Sequence, residues 1–258
     1  MGNKKNILII ANVIAVFATI IVNALANIIP IGGNYTGELS DNIPNLFVPA
    51  GLTFAIWGVI YILLILFAAY QIADLIGKIK PKSDYIEKIS FWFILASIGN
   101  IIWIFLWHYE QIILSILPML LLFVSLLMIY LRLEIGSRDA SKMIRYFIHL
   151  PISVYIGWIT VATIANVTAV LVTLNVNGLI LGEVNWTILV ILVAMIITLF
   201  MLYQKKDIFY SLVILWALLG IVIKRVDSHQ SIAITAAIAM IIIAGFTLLQ
   251  LVKTKQLV

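Results

Sequence analysis

The sequence predicts an all-α, polytopic membrane protein, a bundle of about eight transmembrane helices. Three observations lead there. Of 258 residues, 64% are hydrophobic and only 10% charged, with a mean hydropathy of +1.18, far from the balance of a soluble domain. The apolar residues fall into eight charge-free blocks, most of them near the roughly 20 residues that cross a hydrocarbon layer as a helix. The basic residues between those blocks alternate in density from one connection to the next, as the positive-inside rule requires of a multi-pass chain.

The expected helices run over about 6–30, 48–74, 88–108, 111–132, 145–174, 186–204, 208–224 and 229–252. The first follows Lys4 and Lys5 and ends near Ala24-Leu25-Ala26, the layout of a secretory leader. Its apolar run from Ile7 to Ile29 is longer than the roughly 7–15 residues of a leader core, so a spanning helix is the expectation. The second opens at Pro49, which can start a helix, and carries Trp57 and Tyr61 four apart on one face. The seventh has only about 16 charge-free residues before Lys224 and Arg225, so it is expected to be short, tilted or dependent on snorkelling.

Fourteen of the 16 lysines and arginines lie on one side: Lys4, Lys5, Lys78, Lys80, Lys82, Lys88, Arg132, Arg138, Lys142, Arg145, Lys205, Lys206, Lys253 and Lys255. The rule places that side, and both termini, in the cytoplasm of a cell-membrane protein. The net charge of +5 is spread between apolar blocks rather than gathered in a patch, which argues against a nucleic-acid partner. Cysteine is absent, so no disulfide or thiolate metal site is available.

The first outer connection, 31–46, is the longest external segment and is rich in Gly, Asn and Pro. It reads either as a connector or as a lid over an outward-facing cavity. A second polar connection covers 175–185. Beyond it the chain is richer in Ile, Val and Ala, so the expected division is a five-helix unit over 1–175 and three further helices over 176–258.

Amides inside a membrane are costly and turn toward the bundle interior. Counted at 1.5 Å per residue from the outer helix ends, Asn23 lies about 10 Å deep and Trp57, Asn100 and Asn166 about 12 Å deep. Four helices thus place a hydrogen-bonding side chain at one level. Trp103 shares a face with Asn100, and Trp158, Ala162 and Asn166 form one stripe on the fifth helix. Singly, these residues read as interhelical glue and packing. Together they read as a mostly apolar pocket with a few convergent polar groups, the usual form of a small-molecule site.

Three segments resemble the TspO/MBR family, the tryptophan-rich sensory and translocator proteins, in its longer prokaryotic form. Pro49 followed by Trp57 and Tyr61 resembles the family's second helix, Asn100-Ile-Ile-Trp103 its third, and Trp158 with Ala165 and Asn166 its fifth. The resemblance covers about 6–175. Gly51 stands where the family has its first second-helix tryptophan, Ala55 where it has a proline, and three helices extend beyond the five-helix fold. The resemblance implies a non-enzymatic protein that binds an apolar, planar molecule such as a tetrapyrrole or sterol as sensor, scavenger or carrier. Taken with the depth count, it gives as expected ligand contacts Asn23, Pro49, Phe54, Trp57, Tyr61, Asn100, Trp103, Trp158, Ala162 and Asn166, the two lines meeting at Trp57, Asn100, Trp103 and Asn166. No cofactor is required, a tetrapyrrole being a ligand. Membrane lipid and a second copy of the chain are candidate partners. The alternative reading is a permease for a small apolar or amphipathic solute.

Catalytic and metal readings are weaker. His108 with Glu110, and His229 with Asp227, flank outer turns, but no HExxH, acidic diphosphate motif or P-loop is present. Intramembrane carboxylates of the kind used by proton-coupled pumps are missing from the middle of the apolar blocks.

Overall fold

In the computed structural model the described residues are 2–29, 31–81, 83–136, 140–176 and 181–254; the basic residues Lys82, Arg138 and Lys255 lie outside them. The secondary structure among them is helical. The elements are α1 (Gly2–Ile28), α2 (Thr36–Asn42), α3 (Ile56–Leu75), α4 (Tyr85–Ile89), α5 (Trp92–His108), α6 (Ile112–Arg132), α7 (Lys142–Ile144), α8 (Leu150–Thr173), α9 (Glu183–Lys205), α10 (Ile208–Arg225) and α11 (Gln230–Thr254). Seven stretches are long and apolar enough to cross a membrane; α5, at 17 residues, is a shorter apolar helix.

Two boundaries differ from expectation for visible reasons. The third expected helix, 88–108, is broken: Ser90 adopts φ 51°, and α4 stands apart from α5. The second does not enter its α-helix at Pro49. Residues Gly51–Ala55 form a 3-10 turn in which Thr53 N–H donates to the Ala50 carbonyl at 2.9 Å, and α3 begins only at Ile56. Ahead of α8 the chain widens into a π turn, Arg145–His149. Pro151 has no N–H to offer the Phe147 carbonyl, and the wider turn accommodates that loss.

The chain divides into two compact units, which are described separately. The first comprises 1–39 and 56–156, the second 40–55 and 157–258. In the first, α1 packs on α3 and α5, and α5 on α6. Gly99 makes the α5–α6 contact close: a Cβ there would lie 2.8 Å from the Pro118 carbonyl oxygen and 2.9 Å from the Leu122 nitrogen. Small residues at such crossings let helix backbones meet, and packing then replaces the hydrophobic drive that lipid does not supply.

In the second unit α10 packs on α9 and α11. Asp207 caps α10, its Oδ1 accepting from Tyr210 N–H at 3.1 Å. The Tyr210 hydroxyl donates to Thr160 Oγ1 of α8 at 3.1 Å, Ser211 meets Thr247 of α11 at 3.1 Å, and Gln250 Nε2 donates to the Leu202 carbonyl at 3.0 Å. Lys224 and Arg225, the two basic residues that stand apart from the charge pattern, are tied down here. Lys224 pairs with Asp41, and Arg225 donates to the Leu46 and Asn45 carbonyls at 3.0 and 2.9 Å.

Candidate ligand site

Two residues of the expected polar layer lie together in the first unit. Asn23 of α1 and Asn100 of α5 meet: Asn23 Nδ2 donates to Asn100 Oδ1 at 2.6 Å and also to the Thr19 carbonyl at 2.9 Å. Both amides are buried, at 2% and 0% exposure. Asn100 Nδ2 makes no hydrogen bond. The Tyr155 hydroxyl, near the start of α8, lies beside Asn100, yet it too lacks a protein partner of good geometry. Two buried polar groups thus lie side by side without a hydrogen bond of good geometry, where most buried side-chain groups find one.

Aromatic rings frame this spot. Trp57 stacks on Tyr61 with centroids 5.7 Å apart and meets Tyr155 edge-on at 6.1 Å. Trp57 and Tyr61 are half-buried, and Tyr155 is buried. Trp103, one turn beyond Asn100, is buried and stacks on Trp107 at 5.3 Å. Tyr155 was missed from sequence because the depth count followed amides and tryptophans. Its position one turn before Trp158, on a helix already carrying Asn166, was the available signal.

The start of the first outer connection is fixed to the end of α5. Gly32, at φ +63°, lies so near His108 that a Cβ would come within 2.6 Å of its carbonyl oxygen. His108 Nδ1 donates to the Ile104 carbonyl at 2.8 Å, which in the neutral ring leaves Nε2 to accept from Thr36 Oγ1 at 3.2 Å. Trp107 Nε1 donates to the Thr36 carbonyl at 3.4 Å. His108 thus holds the loop. Among the described residues no group of three or more His, Cys, Asp or Glu is placed to hold a metal.

The other expected contacts belong to the second unit. Phe54 meets Trp158 edge-on at 5.8 Å. Trp158 and Asn166 are buried and Ala162 half-buried. Pro49 is engaged by α10: a Cβ on Gly220 would fall 2.8 Å from Pro49 Cβ and 2.2 Å from Thr53 Cγ2. Ala50 N–H donates to the Gly220 carbonyl at 3.0 Å, and Trp216 Nε1 to the Thr53 carbonyl at 2.9 Å. Asn45 Nδ2 donates to the Ala165 carbonyl and Thr168 Oγ1, at 3.0 and 2.8 Å. A crevice of ≈ 10 Å³ beside Asn45, Thr168 and Trp186 has room for about one water. Gly51 is exposed, and a Cβ there would meet nothing within 4 Å.

A helical bundle with seven stretches long and apolar enough to cross a membrane, and with buried amides and aromatic rings inside it, defines a multi-pass membrane protein. The family model described as TSPO-like protein matches residues 9–249, and the chain belongs to that family, the TspO/MBR group. The matched range runs through α9, α10 and most of α11, so it takes in the helices beyond the five-helix fold. TSPO-family proteins are not enzymes, and this chain is placed with them. No curated protein and no solved structure matches the chain.

Proposed function

We propose that the protein binds a hydrophobic, planar small molecule of the tetrapyrrole or sterol-like class in the outward half of the bundle, as a sensor, scavenger or carrier. The observation that carries this reading is the pair of buried, unmatched groups, Asn100 Nδ2 and the Tyr155 hydroxyl, beside the Trp57 ring. An unmet buried donor costs roughly 1–3 kcal/mol, and a carboxylate or carbonyl on an apolar ligand would remove that cost. Asn23 positions Asn100, and Trp57, Tyr61 and Trp103 supply the apolar wall. Pro49, Phe54, Trp158, Ala162 and Asn166 are candidates on the family pattern.

Both termini are assigned to the cytoplasm on the distribution of basic residues. Lys224 and Arg225 on the opposite side act as anchors for the 41–46 segment, which accounts for their departure from that distribution. We read 1–175 as the ligand-handling part and 176–258 as a brace: Trp216, Gly220 and Arg225 all hold the segment 45–53 that leads into the second span.

Titration with protoporphyrin, read by tryptophan fluorescence and by the porphyrin's own absorbance band, tests the proposal. Saturable binding by the native protein, weakened by Trp57→Phe and by Asn166→Ala, is expected. No binding, or equal binding by both variants, would refute the site.

A further inference from the structure

Five elements of the first unit meet at one of its ends. Lys5 Nζ, in the first turn of α1, pairs with Asp74 near the end of α3 at 2.8 Å, and seven residues on Asn12 Nδ2 donates to Gln71 Oε1 at 3.1 Å. The other Asp74 oxygen accepts from the Tyr85 hydroxyl of α4 at 3.0 Å. Arg132, the last residue of α6, donates to the Lys88 and Glu87 carbonyls of α4 at 2.7 and 3.0 Å. Tyr70 of α3 stacks on Phe147 of the π turn with centroids 5.5 Å apart. The start of α1, the ends of α3 and α6, α4 and the approach to α8 are therefore gathered together.

That end carries a surplus of positive charge. Asp74 is matched by Lys5, and Glu134 by Lys88. Asp84 and Glu87 are the remaining carboxylates there among the described residues. Against them stand Lys4, Lys78, Lys80 and Lys142, all exposed and none in an ion pair among the described residues. The opposite end of the unit has Glu38 and Glu110 and, among the described residues, no lysine or arginine.

The lysines also stand at headgroup depth. Apolar spans run over Asn3–Ile28, Gly51–Leu75 and Lys142–Thr173, so Lys4 and Lys142 open two of them, and Lys78 and Lys80 follow closely on the third. Long cationic side chains at such places extend to the lipid–water boundary. Ile76, Met143 and Tyr146, each roughly half exposed, lie in the same stretches of chain. Cations interleaved with exposed apolar and aromatic side chains mark a helix end seated among headgroups. A soluble acidic partner needs only the charge, whereas a phospholipid uses both features, its phosphate meeting the ammonium groups and its acyl chains the apolar ones.

We propose that this end of the first unit is a docking surface for anionic phospholipid, whose headgroups are held by Lys4, Lys78, Lys80 and Lys142. Each lysine near an anionic membrane surface strengthens association about fivefold, and salt screens it. The surface requires only that the helices span a bilayer, and it stands apart from the tetrapyrrole reading.

Trp92 opens α5 at the same end, half-buried, just after the break at Ser90, and serves as the local reporter. The full chain would be reconstituted in phosphatidylcholine vesicles of which about a fifth is brominated phosphatidylglycerol or, in parallel, brominated phosphatidylcholine. The quenching that disappears in Trp92→Phe is the signal from this end. Phosphatidylglycerol is expected to be enriched there at least about fivefold. Replacing Lys4, Lys78, Lys80 and Lys142 together by Gln should bring the enrichment below about twofold. Replacing Lys205, Lys206 and Lys253 of the second unit by Gln should leave it in place. Equal quenching by the two lipids would overturn the proposal, as would equal loss in both variants, which would reduce the effect to net charge. No enrichment, with tight binding of polyglutamate, would assign the surface to an acidic protein segment instead. If the lysine variant misfolds, the native protein still decides: raising salt from about 0.05 to about 0.5 M should cut the enrichment severalfold, and enrichment indifferent to salt would equally overturn the proposal.

Discussion

Asn23 and Asn100, 77 positions apart in sequence, share a 2.6 Å hydrogen bond between fully buried side chains of α1 and α5. Interhelical hydrogen bonds in membranes are worth about 0.6 kcal/mol on average and up to about 1.7. A double-mutant cycle of Asn23→Ala and Asn100→Ala, followed by denaturing-detergent titration, should give a coupling energy within that range.

Tyr155→Phe separates binding from folding. The hydroxyl lies beside Asn100 but makes no hydrogen bond of good geometry, so its removal should change stability by no more than about 1 kcal/mol. Protoporphyrin affinity should fall about tenfold, as expected of a lost hydrogen bond of about 1.4 kcal/mol. Thermal melts and titrations on the same preparations check both halves.

Gly220→Ala should destabilise the second unit by about 1–3 kcal/mol, because the new methyl would overlap Thr53 and Pro49. Thr53→Ser removes the nearer obstacle, Cγ2, and should recover part of the loss. Melting temperatures of the single and double variants measure it.

Arg225→Gln leaves the Asn45 and Leu46 carbonyls without their guanidinium donors. Hydrogen bonds from charged groups contribute about 1.5–3 kcal/mol. Proteolytic cleavage within residues 42–48 should accelerate roughly tenfold or more, while the overall melting temperature changes less.

Gly51→Trp places an aromatic ring at an open, exposed position, where the family resemblance has a tryptophan. The variant should fold normally by melting temperature and bind protoporphyrin more tightly than the native chain.

The helices were legible because each carries its own apolar run, and most boundaries fell within a few residues. The break at Ser90 and the 3-10 entry at Gly51 were not, since both depend on backbone angles that no local composition signal announces. Depth counting brought Asn23 and Asn100 to one level because the rise per residue is constant along a helix. It did not reveal Asn12–Gln71 or Lys5–Asp74, although the seven-residue spacing on α1 and the pair Gln71 and Asp74, three apart on α3, were readable as faces. The anchoring by Arg225 joins residues about 180 positions apart, and only the folded chain brings them together.

Gly99 precedes Asn100 directly, and at Gly99 the backbone of α5 rests on that of α6 near Pro118. Pro118 deprives α6 of one internal hydrogen bond and so supplies its most compliant joint. At the far end of α6, Arg132 grips the Glu87 and Lys88 carbonyls of α4 at 3.0 and 2.7 Å. Within the first unit α6 is therefore tied at two points, to the backbone of α5 at Gly99 and to α4 at Arg132, with its proline between them.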